Sequence, residues 1–176
     1  HATELAKEGL KQAYTSIVAV GGDGTVNEVA RALVHTPQPM GIIPKGSGNG
    51  LSRHLGIPLN FEKAIENVLT GKVISMDTFT INDKLSLNVS GVGFDGHVAN
   101  LFGKDGKRGL LGYAKLTLLE FLRFKPFHLS LTVDGEQKDY EAFVVALANS
   151  SQYGNNAKVA PMASVCDQRL HLSVLK

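Results

Sequence analysis

The chain has 176 residues, a formal net charge of +2 and 43% apolar residues, enough for the packed core of one ordinary domain or two small ones. Its charges are interspersed, which argues against nucleic-acid binding, and no apolar run is long enough to predict a membrane-spanning helix. The single Cys166 cannot form an internal disulfide, and no signal peptide is recognisable. We therefore expect a cytoplasmic protein with an unreactive free thiol.

Helix and strand patterns alternate through the first part of the chain. Residues 2–14 show helical apolar spacing, residues 16–20 are typical of a buried parallel strand, and residues 41–44 repeat that strand pattern. A short helix over 51–55 and a longer one capped by Asn60 follow. Two strand–loop–helix units in tandem predict a doubly wound parallel sheet, whose ligands bind beyond the carboxyl ends of its strands.

Each predicted strand runs into a glycine-rich loop. The first loop reads G-G-D-G-T over residues 21–25, and Thr25 with Glu28 has the spacing of a capping box that starts a helix; the second loop covers residues 45–50. Glycines let a ligand approach the backbone closely, and a helix N-terminus offers free N–H groups and partial positive charge. We therefore predict a phosphate site, although neither the P-loop nor the dinucleotide motif is present. The alternative is a tight turn with a surface aspartate.

Alternating apolar and polar residues dominate after residue 72, which predicts an antiparallel β domain. Asn82-Asp83 and Asp134-Gly135 have the composition of hairpin turns. The predicted strands cover residues 73–76, 79–81, 85–89, 127–133, 142–147 and 170–176, the last with no visible partner. We place an α/β domain at residues 1–76, lacking its first strand, and a β-rich domain at residues 77–176. We expect that the chain is truncated at both ends.

A helical apolar stripe over residues 110–122 interrupts the strands, with basic residues around it. Core packing is the interpretation we favour for the stripe, because apolar stripes usually face a core. The other interpretation is a surface that contacts anionic bilayers.

The loops, taken together, resemble those of diacylglycerol kinases and sphingosine kinases. The resemblance rests on G-G-D-G-T-V-N-E over 21–28, G-I-I-P-K-G-S-G-N over 41–49 and L-G-I-P over 55–58, and it continues to Leu170. This superfamily includes NAD kinase and phosphofructokinase, but the G-S-G-N loop is more similar to that of the lipid kinases. The resemblance implies an ATP-dependent lipid kinase that acts on diacylglycerol or a sphingoid base, with Mg²⁺ as cofactor. It implies that the nucleotide binds in the domain at 1–76 and the lipid substrate in the domain at 77–176. Peripheral membrane contact is also implied, and a homodimer is possible.

The resemblance also implies roles for individual residues. Asp23 would lie near Mg²⁺ and the attacking hydroxyl, Asp167 would be an alternative catalytic base, and Asp95 would recognise the lipid head group. Gln168 replaces a glycine of the family's D-G-x-L motif, which questions the local backbone geometry and the role of Asp167. The residues implied to hold ATP are Gly21, Gly22, Gly24, Thr25, Gly46, Ser47, Gly48 and Asn49.

Phosphoryl transfer requires mainly positioning and charge, which two glycine loops and a carboxylate can supply. We expect Val at position 22 or 48 to weaken nucleotide binding with little loss of fold. The rival hypothesis is a catalytically silent nucleotide- or lipid-binding regulator of the same fold.

Overall fold

The computed structural model describes residues 1–12, 14–104, 119–121 and 123–176, without the side chains of residues 95, 99 and 102–104. Its helices are α1 (Ala2–Lys11), α2 (Asp23–Leu33), α3 (Gly50–His54), α4 (Phe61–Thr70) and α5 (Phe94–Lys104). Its strands are β1 (Ile17–Gly21), β2 (Met40–Pro44), β3 (Phe79–Ile81), β4 (Lys84–Ser86), β5 (Val89–Gly93), β6 (Phe127–Val133), β7 (Glu136–Ala142), β8 (Val144–Ala148) and β9 (His171–Leu175).

The chain forms two compact units. The first comprises residues 1–89 and 149–170, and the second comprises residues 90–148 and 171–176. The boundary that the sequence suggests, after residue 76, lies inside the first unit, and residues 149–170 return to that unit. The predicted class, an α/β part followed by a β-rich part, is confirmed.

The first unit is built on the parallel pair β1 and β2, which the sequence predicts correctly. Ala19 and Ile42 lie in a core with α1 and α2. Side chains alternate along a strand, so Gly41 and Val18 face the opposite side, where the Val68 side chain of α4 lies 3.0 Å from the position a Cβ on Gly41 would take. Helices therefore cover both faces of the sheet, as in a doubly wound fold.

β1 is less buried than its apolar sequence predicts. Ala19 is 1% exposed, whereas Val18 and Val20 are 38% and 53% exposed. The prediction of a strand buried on both faces is therefore wrong for one face, because the described residues cover Val18 and Val20 only in part.

The capping-box prediction for α2 is also wrong. Gly22, in extended conformation, is the N-cap, so the helix already begins at Asp23 and Thr25 lies within its first turn. Glu28 instead accepts a hydrogen bond from the Ala2 N–H (3.3 Å). At α4 the prediction is confirmed, because the Asn60 Oδ1 accepts a hydrogen bond from the Lys63 N–H (3.0 Å).

The second part of the chain contains the predicted hairpins. Asn82 and Asp83 (φ 48° and 62°) join β3 to β4, and Asp134 and Gly135 (φ 51° and 85°) join β6 to β7. The C-terminal strand β9 does have a partner, contrary to the prediction, since it pairs antiparallel with β8. No strand forms over residues 73–76. Most of the predicted helical stripe at 110–122 lies outside the described residues.

Candidate phosphate-binding site

The two glycine loops touch each other through their backbones. The parallel register sets Gly21 opposite Pro44, and the Lys45 N–H donates to the Gly21 carbonyl oxygen (2.8 Å). One residue further on, a Cβ on Gly46 would lie 2.5 Å from the Gly22 Cα, and a Cβ on Gly22 would lie 3.1 Å from the Gly46 Cα. A side chain at position 46 would therefore force the two backbones apart, and one at position 22 would require the Gly46 backbone to shift by a few tenths of an ångström. This contact argues against the expectation that Gly22→Val leaves the fold intact, because the larger Val side chain would have to displace the Gly46 backbone.

Other glycines of the loops have different surroundings. A Cβ on Gly21 would lie 2.6 Å from the Thr25 Oγ1, so the Thr25 side chain packs against the end of β1. A Cβ on Gly24 would meet no atom within 4 Å, so the space beside this residue is open. The first intrahelical bond of α2 runs from Val26 N–H to the Gly22 carbonyl. The N–H groups of Asp23, Gly24 and Thr25 precede that bond and have no helical partner.

The Asp23 carboxylate links the two loops. Its Oδ2 accepts a hydrogen bond from the Gly50 N–H (3.1 Å) and its Oδ1 accepts one from the Leu51 N–H (3.2 Å). These are the first two N–H groups of α3, so Asp23 stabilises the start of that helix. A Cβ on Gly48 would lie 3.4 Å from the Asp23 Oδ2. The structure thus brings Asp23 to the second loop, as the paired motifs predict.

Asn49 holds the second loop closed. Its Oδ1 accepts from the Gly46 N–H (2.9 Å) and its Nδ2 donates to the Gly46 carbonyl (2.7 Å). Asn49 is 7% exposed and has left-handed backbone geometry (φ 50°). The Ser47 side chain is exposed, and no hydrogen bond engages it within the described part of the chain. Ser47 is therefore open to a ligand, whereas the Asn49 amide is occupied by the loop itself.

A third segment, residues 149–156, supports the second loop from behind, and sequence reasoning missed its importance. A Cβ on Gly154 would lie 2.8 Å from Gly48 backbone atoms, and the Asn155 N–H donates to the Gly48 carbonyl (3.3 Å). Arg53 donates from Nε to the same carbonyl (3.0 Å) and from Nη2 to the Asn155 Oδ1 (3.2 Å). The one signal in the sequence is the Gly-Asn-Asn run at 154–156, which is typical of a turn with positive φ. All three residues do have positive φ, because Gly and Asn adopt this geometry most readily.

His54 attaches the same segment to the end of α3. The Ser151 N–H donates to the His54 Nδ1 (3.1 Å), and the Ser151 Oγ lies 3.0 Å from that nitrogen. Because Nδ1 accepts a backbone hydrogen bond, the ring is neutral and carries its proton on Nε2. Burial lowers the pKa of His54 below its ordinary value of 6.5. Neighbouring buried polar side chains are also satisfied: the Asn149 Nδ2 donates to the carbonyls of Asp77 (2.8 Å) and Leu87 (2.9 Å).

Asp167, the second predicted catalytic carboxylate, lies in an exposed turn. Its Oδ1 accepts a hydrogen bond from the Arg169 N–H (3.1 Å), and no hydrogen bond joins it to Asp23 among the described residues. Gln168, which lies between Asp167 and Arg169, has φ 58°, in the left-handed region that favours glycine. Its N–H donates to the Asp77 Oδ2 (2.6 Å). The turn therefore has a conformation that glycine would favour, although the residue is glutamine.

Both parts of the chain match known protein families. Residues 1–81 match the diacylglycerol kinase catalytic domain, and residues 88–176 match the YegS C-terminal NAD kinase beta sandwich-like domain. The chain belongs to the diacylglycerol kinase-like family.

Relatives and solved structures of this family align along nearly the whole chain. A Pseudomonas aeruginosa protein named "Probable lipid kinase YegS-like" is 32% identical over 99% of this chain and 59% of its own length. A Chromohalobacter salexigens protein of the same name is 29% identical over 98% of this chain and 57% of its own length. The crystal structure of a Bacillus anthracis diacylglycerol kinase aligns with a TM-score of 0.76 and 30% identity, covering 99% of this chain and 58% of that one. The chain thus spans 57–59% of the length of these relatives.

The structure gives less information on three other predicted features: the head-group residue, the metal site and the membrane contact. Asp95 is the second residue of α5, but its side chain lies outside the described residues. The described residues contain no group of three His, Cys, Asp or Glu side chains suited to hold a metal ion. In the described part of the chain, no helix has both the length and the apolar character needed to cross a membrane.

Proposed function

We propose that the protein transfers the γ-phosphoryl group of ATP to a lipid hydroxyl. The observation that supports this most strongly is the backbone packing of Gly22 against Gly46, which joins two glycine loops at the start of α2 beside the Asp23 carboxylate. Phosphoryl transfer depends mainly on positioning and on charge that meets the phosphate oxygens. The family membership agrees with this proposal.

The residues of the first loop fit the phosphates of ATP. The open space beside Gly24 admits a ligand, and the N–H groups of Asp23, Gly24 and Thr25 are available there as donors. The positive end of the helix dipole favours an anion at the same point. The exposed Ser47 hydroxyl can donate from the second loop.

The donor set also fits Mg²⁺, with Asp23 as its protein ligand. Each Asp23 oxygen accepts one backbone N–H, which leaves lone pairs for a metal or for a substrate hydroxyl. Mg²⁺ is commonly held by one or two carboxylates together with phosphates and waters, so a site with few protein ligands suits it. When bound, Mg²⁺ would neutralise phosphate charge. Asp23 would orient the acceptor hydroxyl, and Asp167 is the alternative base.

The acceptor proposed for this reaction is diacylglycerol or a sphingoid base, presented at a membrane surface, with Asp95 as the head-group contact. A carboxylate can accept hydrogen bonds from a hydroxyl and can pair with an ammonium group. In Asp95→Ala, the KM for lipid in detergent micelles should rise, and more for a sphingoid base than for diacylglycerol, while ATP binding stays intact. Unchanged KM values for both lipids would exclude Asp95 from the site.

The experiment that tests the proposed function is turnover of labelled ATP by the purified protein against a panel of lipids. Asp23→Asn is the matched variant, since it keeps the shape and removes the charge. We expect its turnover to fall by about 10²-fold or more. The Asn amide cannot accept both N–H groups of α3, so unfolding of this variant must be measured beside its activity. ATP binding without turnover of any lipid would favour the silent regulator instead.

A further inference from the structure

Arg53 is a cation beside the second glycine loop that neither the motifs nor the resemblance assigns to the site. It lies on α3, and helical side chains lean towards the N-terminus of their helix, which here is the end held by Asp23. Its Nε reaches the Gly48 carbonyl at 3.0 Å. Gly48 is also the residue whose Cβ position lies 3.4 Å from the Asp23 Oδ2. Arg53 and Asp23 therefore both approach the same loop residue.

The guanidinium of Arg53 is oriented by neutral acceptors and is not neutralised. Its two hydrogen bonds go to the Gly48 carbonyl and to the Asn155 amide oxygen. Within the described residues it forms no ion pair with a carboxylate, and its side chain is only half-buried. The guanidinium has five N–H donors, and these two hydrogen bonds use two of them. The other three donors are available to a ligand, and the group keeps its positive charge. Two fixed bonds also reduce the rotamer freedom that a ligand would otherwise have to restrict.

The loop's own lysine is directed elsewhere. The Lys45 Nζ lies 4.9 Å from the centre of the Phe61 ring, an arrangement that stabilises the ammonium over the aromatic face. A cationic side chain would further stabilise phosphate oxygens bound at the glycine loops, and arginine binds phosphate through several N–H groups at once.

We propose that Arg53 binds the terminal phosphates of the nucleotide, with Gly48 and Asn155 fixing its orientation. This inference rests on the proposed function. It assigns Arg53 a direct phosphate contact, which goes beyond a role in bracing the loop.

Nucleotide titration of the purified protein tests the proposal with three variants. Arg53→Gln removes the charge and keeps an amide near Gly48. Asn155→Gly removes the Oδ1 acceptor, and glycine tolerates φ 47°. Arg31→Gln is the control, because it removes the same charge at an exposed site on α2. We expect Arg53→Gln to weaken ATP binding by about 10- to 100-fold and AMP binding much less, because charge-assisted hydrogen bonds to the terminal phosphates are lost. Arg31→Gln should match the parent, and Asn155→Gly should lose only a few-fold.

The outcomes distinguish a failure of the Arg53 proposal from a failure of the proposed function. If the parent binds no ATP, the proposed function fails and this inference fails with it. If the parent binds ATP and Arg53→Gln binds it equally well, only the inference is overturned. It is also overturned if Arg53→Gln and Asn155→Gly weaken ATP and AMP binding by the same factor, with equal loss of thermal stability, because that pattern is expected of a brace alone.

Discussion

Gly46 and Gly24 differ sharply in what a methyl group would meet, which makes Gly46→Ala and Gly24→Ala a matched pair of variants. A Cβ on Gly46 would lie 2.5 Å from the Gly22 Cα and 2.8 Å from the Asn49 Oδ1. A Cβ on Gly24 would meet no atom within 4 Å. The same chemical change thus disrupts backbone packing in one loop and enters open space in the other.

The expected stabilities follow from these distances. Gly46→Ala must separate two backbone segments, and overpacking of this kind costs about 1–3 kcal/mol. For a chain of this size that corresponds to a fall in Tm of about 2–12 °C. Gly24 lies in the first turn of α2, where Ala has the better helix propensity, so Gly24→Ala should leave the free energy of unfolding unchanged or raise it by up to about 1 kcal/mol.

Thermal unfolding with and without ATP measures both effects. In Gly24→Ala the methyl group occupies the space we assign to phosphate, so ATP should raise its Tm much less than it raises that of the parent. Full stabilisation of Gly24→Ala by ATP would refute the placement of phosphate beside Gly24. A Gly46→Ala protein as stable as the parent would refute the packing argument for the two loops.

Two further predictions concern stability. Because burial lowers the pKa of His54, the unfolded chain binds more protons below about pH 6.5, so stability is complete above that pH and is lost as the pH falls. The change in the free energy of unfolding per pH unit should stay well under the roughly 1.4 kcal/mol expected for one full proton, since the ring is half-buried. Urea unfolding at pH 5.5 and 7.5 measures it, and the pH effect should be smaller in His54→Asn than in the parent. Gln168→Gly should raise the free energy of unfolding by up to about 1 kcal/mol, because glycine adopts φ 58° without steric cost. A decrease in urea midpoint would show that the Gln168 side chain stabilises the turn.

Local patterns allowed much of the α/β part to be predicted from the sequence. The Asn60 cap and the two hairpin turns depend on residues close together in the chain, and each strand of the parallel pair β1 and β2 has its own local apolar run. Apolar spacing, turn residues and caps record such short-range preferences directly. The same patterns could not show that Val20 is 53% exposed, because exposure depends on what covers a face.

The interactions that shape the candidate site are mostly long-range, and the sequence did not reveal them. The Arg53 bond to Asn155 joins residues 102 positions apart, and Asp23 reaches Leu51 across 28. Sequence reasoning treated Gly22 as a glycine that admits a ligand, whereas its backbone packs directly against Gly46. Conformational freedom and close packing favour the same residue, so a motif alone cannot separate the two causes.

The turn at Asp167 has a left-handed residue at a position where the sequence departs from a motif. Gln168 stands where the D-G-x-L motif of the resemblance would place glycine, and it has φ 58°. Its N–H bond to Asp77 and the Arg169 N–H bond to Asp167 hold the backbone on both sides, so the turn depends on these partners and not on glycine alone. The replacement of glycine therefore argues only weakly for a silent protein. Whether Asp167 acts as the base depends on its own carboxylate, and comparing the turnover of Asp167→Asn with that of Gln168→Gly would separate the role of the side chain from that of the turn.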